Sequence, residues 1–184
     1  MGNTVNIHEA IIERCRQNDR SAQYELYDLY HKAMYNTALR ICGNSAGAED
    51  ALQESFVAAF GRLDQFRGEA TFGAWLKKIV VNKSLNHLKK SAQLKETNIE
   101  EYPENSFYEW ENVPEKELSV ESVKSAISQL PTGFRTVINL YLFEGYDHKE
   151  IAEILGISES TSKSQYNRAK RKVREIIRKE VKYG

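Results

Sequence analysis

Apolar residues recur at spacings of three and four along almost the whole chain, which is the period of one face of an α-helix. Strict alternation of apolar and polar residues, which would indicate a half-buried strand, is not found in the sequence. The pattern therefore predicts an all-α protein. It divides into two groups of helices, so we expect two small helical domains joined by a linker.

The N-terminal group predicts four helices around one core, over residues 7–15, 21–43, 45–60 and 71–90. The residues expected to open these helices are Asn6 with Glu9 as a capping box, Ser21 and Thr71, and the third helix is expected to start near Ser45. The apolar stripe of the second helix comprises Ala22, Leu26, Tyr30, Ala33, Thr37 and Ile41. The connection over residues 61–70 carries two glycines and two apolar anchors, Leu63 and Phe66.

The C-terminal group ends in the clearest local signal of the chain. Asp147 and Glu150 form the pattern of a capping box at the start of a short amphipathic helix. Gly156 then allows a tight turn, and Ser158 is positioned to cap a long basic helix that runs to about residue 181. These features predict a helix-turn-helix, preceded by two helices over residues 120–130 and 134–141.

The two groups are separated by a segment with Pro103, Pro114 and many glutamates but no helical stripe, which indicates an extended acidic linker. We predict a first domain over residues 1–92, a linker over 93–117 and a helix-turn-helix domain over 118–184. Several aromatic residues in the linker are unusual for a purely solvated segment.

The charge distribution bears on the function. The 26 basic and 26 acidic residues balance overall, but they are distributed unevenly along the chain. Residues 70–95 carry a net charge of +6 and residues 160–184 carry +7, whereas residues 96–121 carry −8. A basic helix is most often a solvated face. Two basic blocks on two predicted helices favour nucleic-acid binding instead.

In a helix-turn-helix the second helix lies in the major groove of DNA. With Ser162, Tyr166, Ala169, Val173 and Ile177 facing inward, the outward positions can contact bases and phosphates. Candidates for reading bases, by their donor and acceptor groups, are Lys163, Ser164, Asn167 and Arg168. Candidates for gripping phosphates are Lys170, Arg171 and Lys172. The alternative is a helical hairpin with a solvated basic end.

Catalytic and metal chemistry find little support in the sequence. The four histidines have no second ligand at metal-binding spacing, and nucleophile elbows or phosphate-binding glycine loops are not found, so we expect no enzyme activity, metal or cofactor. Cys15 and Cys42 lie on apolar stripes and are interpreted as buried free thiols. The longest apolar run is residues 56–60 and a signal pattern is lacking, so we expect a cytoplasmic protein without a membrane span.

Several segments resemble those of a known family. In the C-terminal half they are Leu130-Pro131, the pattern Arg135-x-Val137-x-x-Leu140, and residues 144–172. In the N-terminal half they are AEDALQESF at 48–56, FRGEAT at 66–71 followed by Phe72 and Trp75-Leu76, and residues 79–86 with Asn82 and Asn86. Together they resemble the extracytoplasmic-function (ECF, group IV) sigma factors of bacterial RNA polymerase, over about residues 20 to 180. Ser162 departs from the family pattern, which usually has an aliphatic residue there, and Gln165 replaces a usual arginine.

The resemblance implies an alternative sigma factor that binds core RNA polymerase, through its largest and second-largest subunits, and recognises both elements of a promoter while opening the DNA. It implies polymerase docking by Asp50, Gln53 and Glu54, whose spacing places them on one helix face; the alternative is a solvated acidic helix start, preferred for Glu49. The residues implied for the melted promoter element are Phe66, Arg67, Lys78, Asn82, Lys83 and Asn86. Trp75 is expected to be buried.

Two further expectations concern partners. The linker glutamates could occupy the RNA path of the polymerase, and an inhibitory anti-sigma factor could clamp both domains. The main rival interpretation is a helix-turn-helix regulator that acts on DNA without replacing the sigma subunit.

Overall fold

A computed structural model describes residues 3–94 and 119–183. These residues form α-helices and one short 3-10 turn and include no strand, which confirms the all-α prediction. They fall into two compact units, divided between Lys95 and Glu96. Apart from its first two residues, the predicted linker over 93–117 lies outside the described residues.

The N-terminal unit consists of four helices: α1 (Asn3–Arg16), α2 (Arg20–Cys42), α3 (Ser45–Phe60) and α4 (Phe72–Leu94). The 3-10 turn, Leu63–Gln65, lies in the connection between α3 and α4. Helices α2, α3 and α4 pack against one another, and α1 packs against α2. The basic helix α4 is therefore held by two neighbours, which leaves its remaining face open to solvent.

The helix ends follow local capping chemistry, with two corrections. Helix α1 begins at Asn3, so Asn6, predicted with Glu9 as its cap, lies inside the helix. Asp19, not Ser21, caps α2, because its carboxylate accepts hydrogen bonds from the backbone N–H groups of Ser21 and Ala22. The helix ends at Gly43, whose φ of 75° is accessible to glycine without strain. Asn44 caps α3 through Gly47 N, and Thr71 caps α4 through Ala74 N.

The core of this unit is continuous from α1 to α4. Its fully buried side chains include Leu26, Ile41, Leu76 and Val80. The predicted stripe of α2 was wrong at Ala33, which is exposed, whereas Met34 and Ala38 are buried. Because α2 contacts α1, α3 and α4, its buried face is wider than a single stripe. Cys15 and Cys42 are both buried free thiols, as predicted.

The C-terminal unit consists of α5 (Val120–Ser128), α6 (Thr132–Leu142), α7 (His148–Leu155) and α8 (Glu159–Tyr183). Helix α8 packs against the other three, and Ala169, Val173 and Ile177 bury its inner face against Ile127 and Ile138. Among the described residues of both units, none of the helices combines the length and the apolar character needed to span a bilayer.

Candidate nucleic-acid interface

Helices α7 and α8 form the predicted helix-turn-helix. Asp147 accepts a hydrogen bond from Glu150 N at 2.8 Å while the Glu150 carboxylate accepts one from Asp147 N at 2.9 Å, which completes the capping box. Gly156 adopts a φ of 69° in the turn. The hydroxyl of Ser158 then accepts a hydrogen bond from Thr161 N at 3.0 Å and caps α8. The start of α7 is thus fixed by the capping box, and the start of α8 by Ser158, directly after the turn.

The exposed face of α8 carries the candidates for reading bases. Lys163, Ser164 and Asn167 are exposed and Arg168 is half-buried, whereas Ser162, one position before Lys163, is fully buried. The Lys163 ammonium lies 2.6 Å from the Glu159 carboxylate, and this pair lowers the pKa of Glu159. These side chains therefore share an accessible surface in the first three turns. Their role in base reading stays a prediction.

The phosphate candidates follow on the same helix. Arg171 is exposed, and Lys170 and Lys172 are half-buried. Lys170 Nζ lies 4.7 Å from the centre of the Tyr166 ring, a distance suited to a cation–π interaction. Lys172 Nζ lies 3.1 Å from the Glu175 carboxylate. The side chains of Lys170 and Lys172 are therefore oriented by neighbouring residues, and both are partly exposed to solvent.

A partly buried polar contact connects the two helices of the motif, and sequence reasoning did not predict it. His148 Nδ1 at the start of α7 lies 3.0 Å from Ser162 Oγ on α8. Tyr141 of α6 stacks on the His148 ring with centroids 4.7 Å apart, and Tyr166 closes the cluster at 4.5 Å from Tyr141. Burial raises the pKa of Tyr166, so its hydroxyl stays neutral. This cluster fixes the angle between α7 and α8.

In the N-terminal unit, α4 presents a polar face. Lys78, Asn82 and Asn86, spaced four residues apart, are exposed on one side of the helix. Trp75, which was expected to be buried, is half-buried. Its ring centroid lies 5.4 Å from that of Phe66 and 5.6 Å from that of Phe72. The aromatic cluster thus lies at the N-terminal end of α4, and Lys78 follows Trp75 by three residues.

The loop before α4 is held in place from α1. The Arg16 guanidinium donates hydrogen bonds to the carbonyl oxygens of Phe66, at 2.8 Å, and Leu63, at 3.5 Å. Leu63 is buried, Phe66 is half-buried and Arg67 is exposed. Arg16 therefore positions the backbone of Phe66, one of the two loop residues predicted to contact the melted promoter element, and Arg67 follows it directly. Sequence reasoning missed it, because a basic residue at a helix end is the ordinary complement of the helix dipole.

The acidic face of α3 carries the candidates for polymerase docking. Asp50, Gln53 and Glu54 are all exposed, and Val57, one turn further, is 73% exposed. Residues at these spacings share one helix face. Glu54 accepts hydrogen bonds from Lys83 Nζ and His87 Nε2 of α4, each at 3.1 Å, and the Lys83 bond is the main reason that the pKa of Glu54 is lowered. One docking candidate therefore contacts one promoter candidate.

Metal-binding geometry is not found within residues 3–94 and 119–183, where groups of three or more His, Cys, Asp or Glu side chains able to hold an ion do not occur. The exposed faces of α3, α4 and α8 carry cations, amides and carboxylates. Such surfaces are suited to macromolecular recognition.

Two family descriptions match the chain, one on each unit. Residues 26–93 match the family described as Sigma-70 region 2, and residues 120–173 match the one described as Sigma-70, region 4. The first match covers α4 and the acidic face of α3, and the second covers the helix-turn-helix. Both candidate interfaces thus lie within matched segments.

Curated relatives match over nearly their whole length. The RNA polymerase sigma-H factor of Pseudomonas aeruginosa is 26% identical over 88% of this chain and 89% of its own. The ECF RNA polymerase sigma-E factor of Haemophilus influenzae is 28% identical over 94% of both chains, and the ECF factor SigW of Bacillus subtilis is 28% identical over 93% of this chain and 95% of its own.

Solved structures share the fold. RpoE of Bartonella quintana, in complex with the anti-sigma factor NepR, has a TM-score of 0.57 at 22% identity and covers 84% of this chain and 96% of its own. CnrH, in complex with the cytosolic domain of CnrY, has a TM-score of 0.53 at 24% identity and covers 91% of this chain and 95% of its own. With both sigma regions matched in order on two helical units, and full-length relatives of one kind, the chain belongs to the ECF sigma factors of bacterial RNA polymerase.

Proposed function

We propose that this chain is an alternative sigma factor that binds core RNA polymerase and directs promoter-specific initiation by recognising both promoter elements and opening the DNA. The observation that carries the proposal is that each of the two matched sigma regions presents an exposed polar or cationic helix face, on α4 and on α8. A protein of this kind contributes specificity and binding energy, and we propose that it has no catalytic site of its own.

We propose that α3 docks on the largest subunit of the polymerase. Asp50 and Glu54 supply negative charge and Gln53 supplies an amide. Val57, one turn further along the helix, adds an exposed apolar side chain. An interface gains from an apolar centre with charges at its rim, and the charges favour a cationic partner surface. By resemblance to the family, we also propose a contact with the second-largest subunit.

We propose that α4 and its preceding loop hold the melted promoter strand. Extruding a base costs a few kcal/mol of stacking, which must be offset by new contacts to the base and its phosphates. Asn82 and Asn86 offer amide donors and acceptors for a base edge, and Lys78 and Lys83 offer charge for the backbone. Phe66 and Arg67 would contribute from the loop that Arg16 holds.

We propose that α8 reads the upstream duplex element from the major groove. Lys163, Ser164, Asn167 and Arg168 lie in the first turns, where a recognition helix meets base edges. The later cations, Lys170, Arg171 and Lys172, would bind phosphates and set the register. Such contacts fix where the helix lies, and the first-turn side chains determine which sequence is bound.

The proposed partners are core RNA polymerase, promoter DNA and an anti-sigma factor, and the proposed location is the cytoplasm, where polymerase and chromosome meet. An inhibitor that covers the α3 face or either DNA face would prevent initiation, because all three are needed at once. Two of the structurally similar proteins were solved as complexes, one of them with an anti-sigma factor.

Binding to sigma-free core polymerase tests the proposal. The full chain, fluorescently labelled, is titrated with purified core enzyme, and the same titration is made with the Asp50→Ala/Gln53→Ala double variant. We expect a stable complex for the natural chain and a complex at least about tenfold weaker for the variant, since we propose that both residues belong to the minority of interface residues whose truncation costs more than about 1 kcal/mol. Glu9→Ala, which removes an exposed carboxylate from α1 instead of α3, is the control.

The rival interpretation makes the opposite prediction. A regulator that acts without replacing the sigma subunit would show no complex with sigma-free core at micromolar protein, while its C-terminal unit would still bind duplex DNA. That result would contradict the proposed function.

A further inference from the structure

One cluster of charges joins the polymerase-docking face of α3 to the promoter-strand face of α4. The two carboxylate oxygens of Glu54 have different partners: Oε2 accepts from Lys83 Nζ and Oε1 from His87 Nε2, each at 3.1 Å. Glu54 belongs to the docking candidates and Lys83 to the promoter candidates. A polymerase cation that pairs with this carboxylate therefore competes with Lys83 for its negative charge.

The cluster is accessible to solvent and to a partner. The side chains of Glu54, Lys83 and His87 are 44%, 34% and 20% exposed. A shallow groove beside it is lined by Gln53, Glu54, Val57, Ala58 and Lys83. Whatever occupies the docking face thus enters the space beside Lys83. Because exposed ion pairs are weak, a second cation can replace Lys83 at little cost.

In the isolated chain the pair also reduces the charge available to DNA. The pKa of Glu54 is lowered, chiefly by the Lys83 hydrogen bond, so the carboxylate is ionised at neutral pH. A negative charge 3.1 Å from the Lys83 ammonium opposes the approach of a phosphate to that ammonium. Lys83 is therefore a poorer phosphate ligand than exposed Lys78 on the same helix.

We infer that Glu54 is a positioning residue that couples docking to promoter-strand binding: it retains Lys83 in the isolated chain, and a cation of the docked polymerase takes its carboxylate and releases Lys83 to a DNA phosphate. This inference rests on the proposed function. The coupling is reciprocal, so a bound strand that draws Lys83 away leaves Glu54 free for the polymerase. Docking and strand binding would each strengthen the other.

A double-mutant cycle on the intact chain tests the inference without polymerase. The affinity for a fluorescent single-stranded DNA oligonucleotide is measured at low, fixed salt for the natural chain, Glu54→Gln, Lys83→Gln and the double variant. Glu54→Gln should tighten binding about two- to five-fold, the range set by an exposed ion pair. In the Lys83→Gln background the same change should give no such gain.

The control separates release of Lys83 from a general loss of negative charge. Glu49→Gln removes the same charge from an exposed position of the same helix, on a different face. It should tighten binding by less than Glu54→Gln, and equally in both Lys83 backgrounds. Melting curves of every variant establish that all are folded.

A second measurement addresses the coupled state. The affinity of the natural chain for core polymerase should rise when the oligonucleotide is present, and Lys83→Gln should reduce that rise. Equal effects of Glu54→Gln in both Lys83 backgrounds, or no oligonucleotide binding by any variant, would overturn the inference. The proposed function fails separately, if the natural chain does not bind core polymerase at all.

Discussion

The hydroxyl of Ser162, fully buried in α8, lies 3.0 Å from Nδ1 of His148 in the first turn of α7. This polar contact lies inside the helix-turn-helix, at a position where the family resemblance leads one to expect an aliphatic side chain. Tyr141 covers the imidazole from α6. The recognition helix is therefore oriented by a directional bond as well as by apolar packing.

Ser162→Ala should destabilise the C-terminal unit by about 1 kcal/mol, the usual net value of one hydrogen bond, and weaken duplex binding. Urea unfolding of the full chain and fluorescence anisotropy with promoter duplex measure the two effects. Combined with His148→Ala, the losses should be less than additive, because both changes remove one contact. Ser125→Ala, an exposed serine of α5, is the control. Additive losses would contradict the account.

Asn167→Ala should relax base preference at one position of the upstream element and cost about 1–3 kcal/mol on the preferred duplex only. Arg171→Gln should instead weaken binding to all duplexes alike and reduce the dependence of affinity on salt by about one unit of slope. Competition binding with a duplex library, repeated at several salt concentrations, distinguishes these outcomes. A uniform loss for Asn167→Ala would show that it does not read a base.

Arg16→Gln should loosen the loop between α3 and α4, since the guanidinium donates to the carbonyls of both Phe66 and Leu63. Binding of the melted promoter strand should fall several-fold, by about the 1 kcal/mol expected of one net hydrogen bond, while binding to core polymerase is unchanged. Arg20→Gln, at an exposed position of α2, is the matched control. If both affinities fell together, Arg16 would be needed for the fold and not for the loop.

Ser84→Ala should leave the N-terminal unit as stable as the natural chain or raise its stability by about 1 kcal/mol. The Ser84 hydroxyl is fully buried and has no hydrogen-bond partner among the described residues, so its removal also removes a desolvation penalty. Chemical unfolding of the full chain measures the effect. A loss above about 1 kcal/mol would mean that the hydroxyl makes a stabilising contact.

Asp19 should contribute stability that disappears in acid. Its pKa is lowered, first by the Arg14 hydrogen bond and then by backbone N–H groups, so the contribution is present above the ordinary pKa of 3.8 and is lost as pH falls through the folded-state value. The melting temperature of the natural chain should therefore exceed that of Asp19→Asn at neutral pH, and the difference should shrink in acid. A difference independent of pH would contradict this.

Much of the helix-turn-helix could be predicted from sequence, because its signals are local. The Asp147–Glu150 box and Gly156 each act within one turn of the chain, and both lie where the pattern indicated. The helix start at Asp19 was missed because a serine two residues later is an equally good cap by type. The burial of Met34 in place of Ala33 depends on three neighbouring helices, which a single stripe does not encode.

The contacts that arrange the sites could not be read from the sequence. Glu54 contacts Lys83 and His87, which lie 29 and 33 residues further along the sequence. Arg16 contacts Phe66, which lies 50 residues further along. Such pairs depend on how helices cross and, for Arg16, on where backbone carbonyls point. Residue type and spacing predicted which faces are polar, and packing determined which polar groups meet.

The most direct measurement is transcription by sigma-free core polymerase on fragmented chromosomal DNA, with the 5′ ends of the transcripts sequenced. With this chain added, we predict a limited set of start sites whose upstream DNA shares two separated elements, and Asn82→Ala and Asn167→Ala should each reduce initiation there. Start sites indistinguishable from those of core polymerase alone would contradict the central claim that this chain gives the polymerase its promoter specificity.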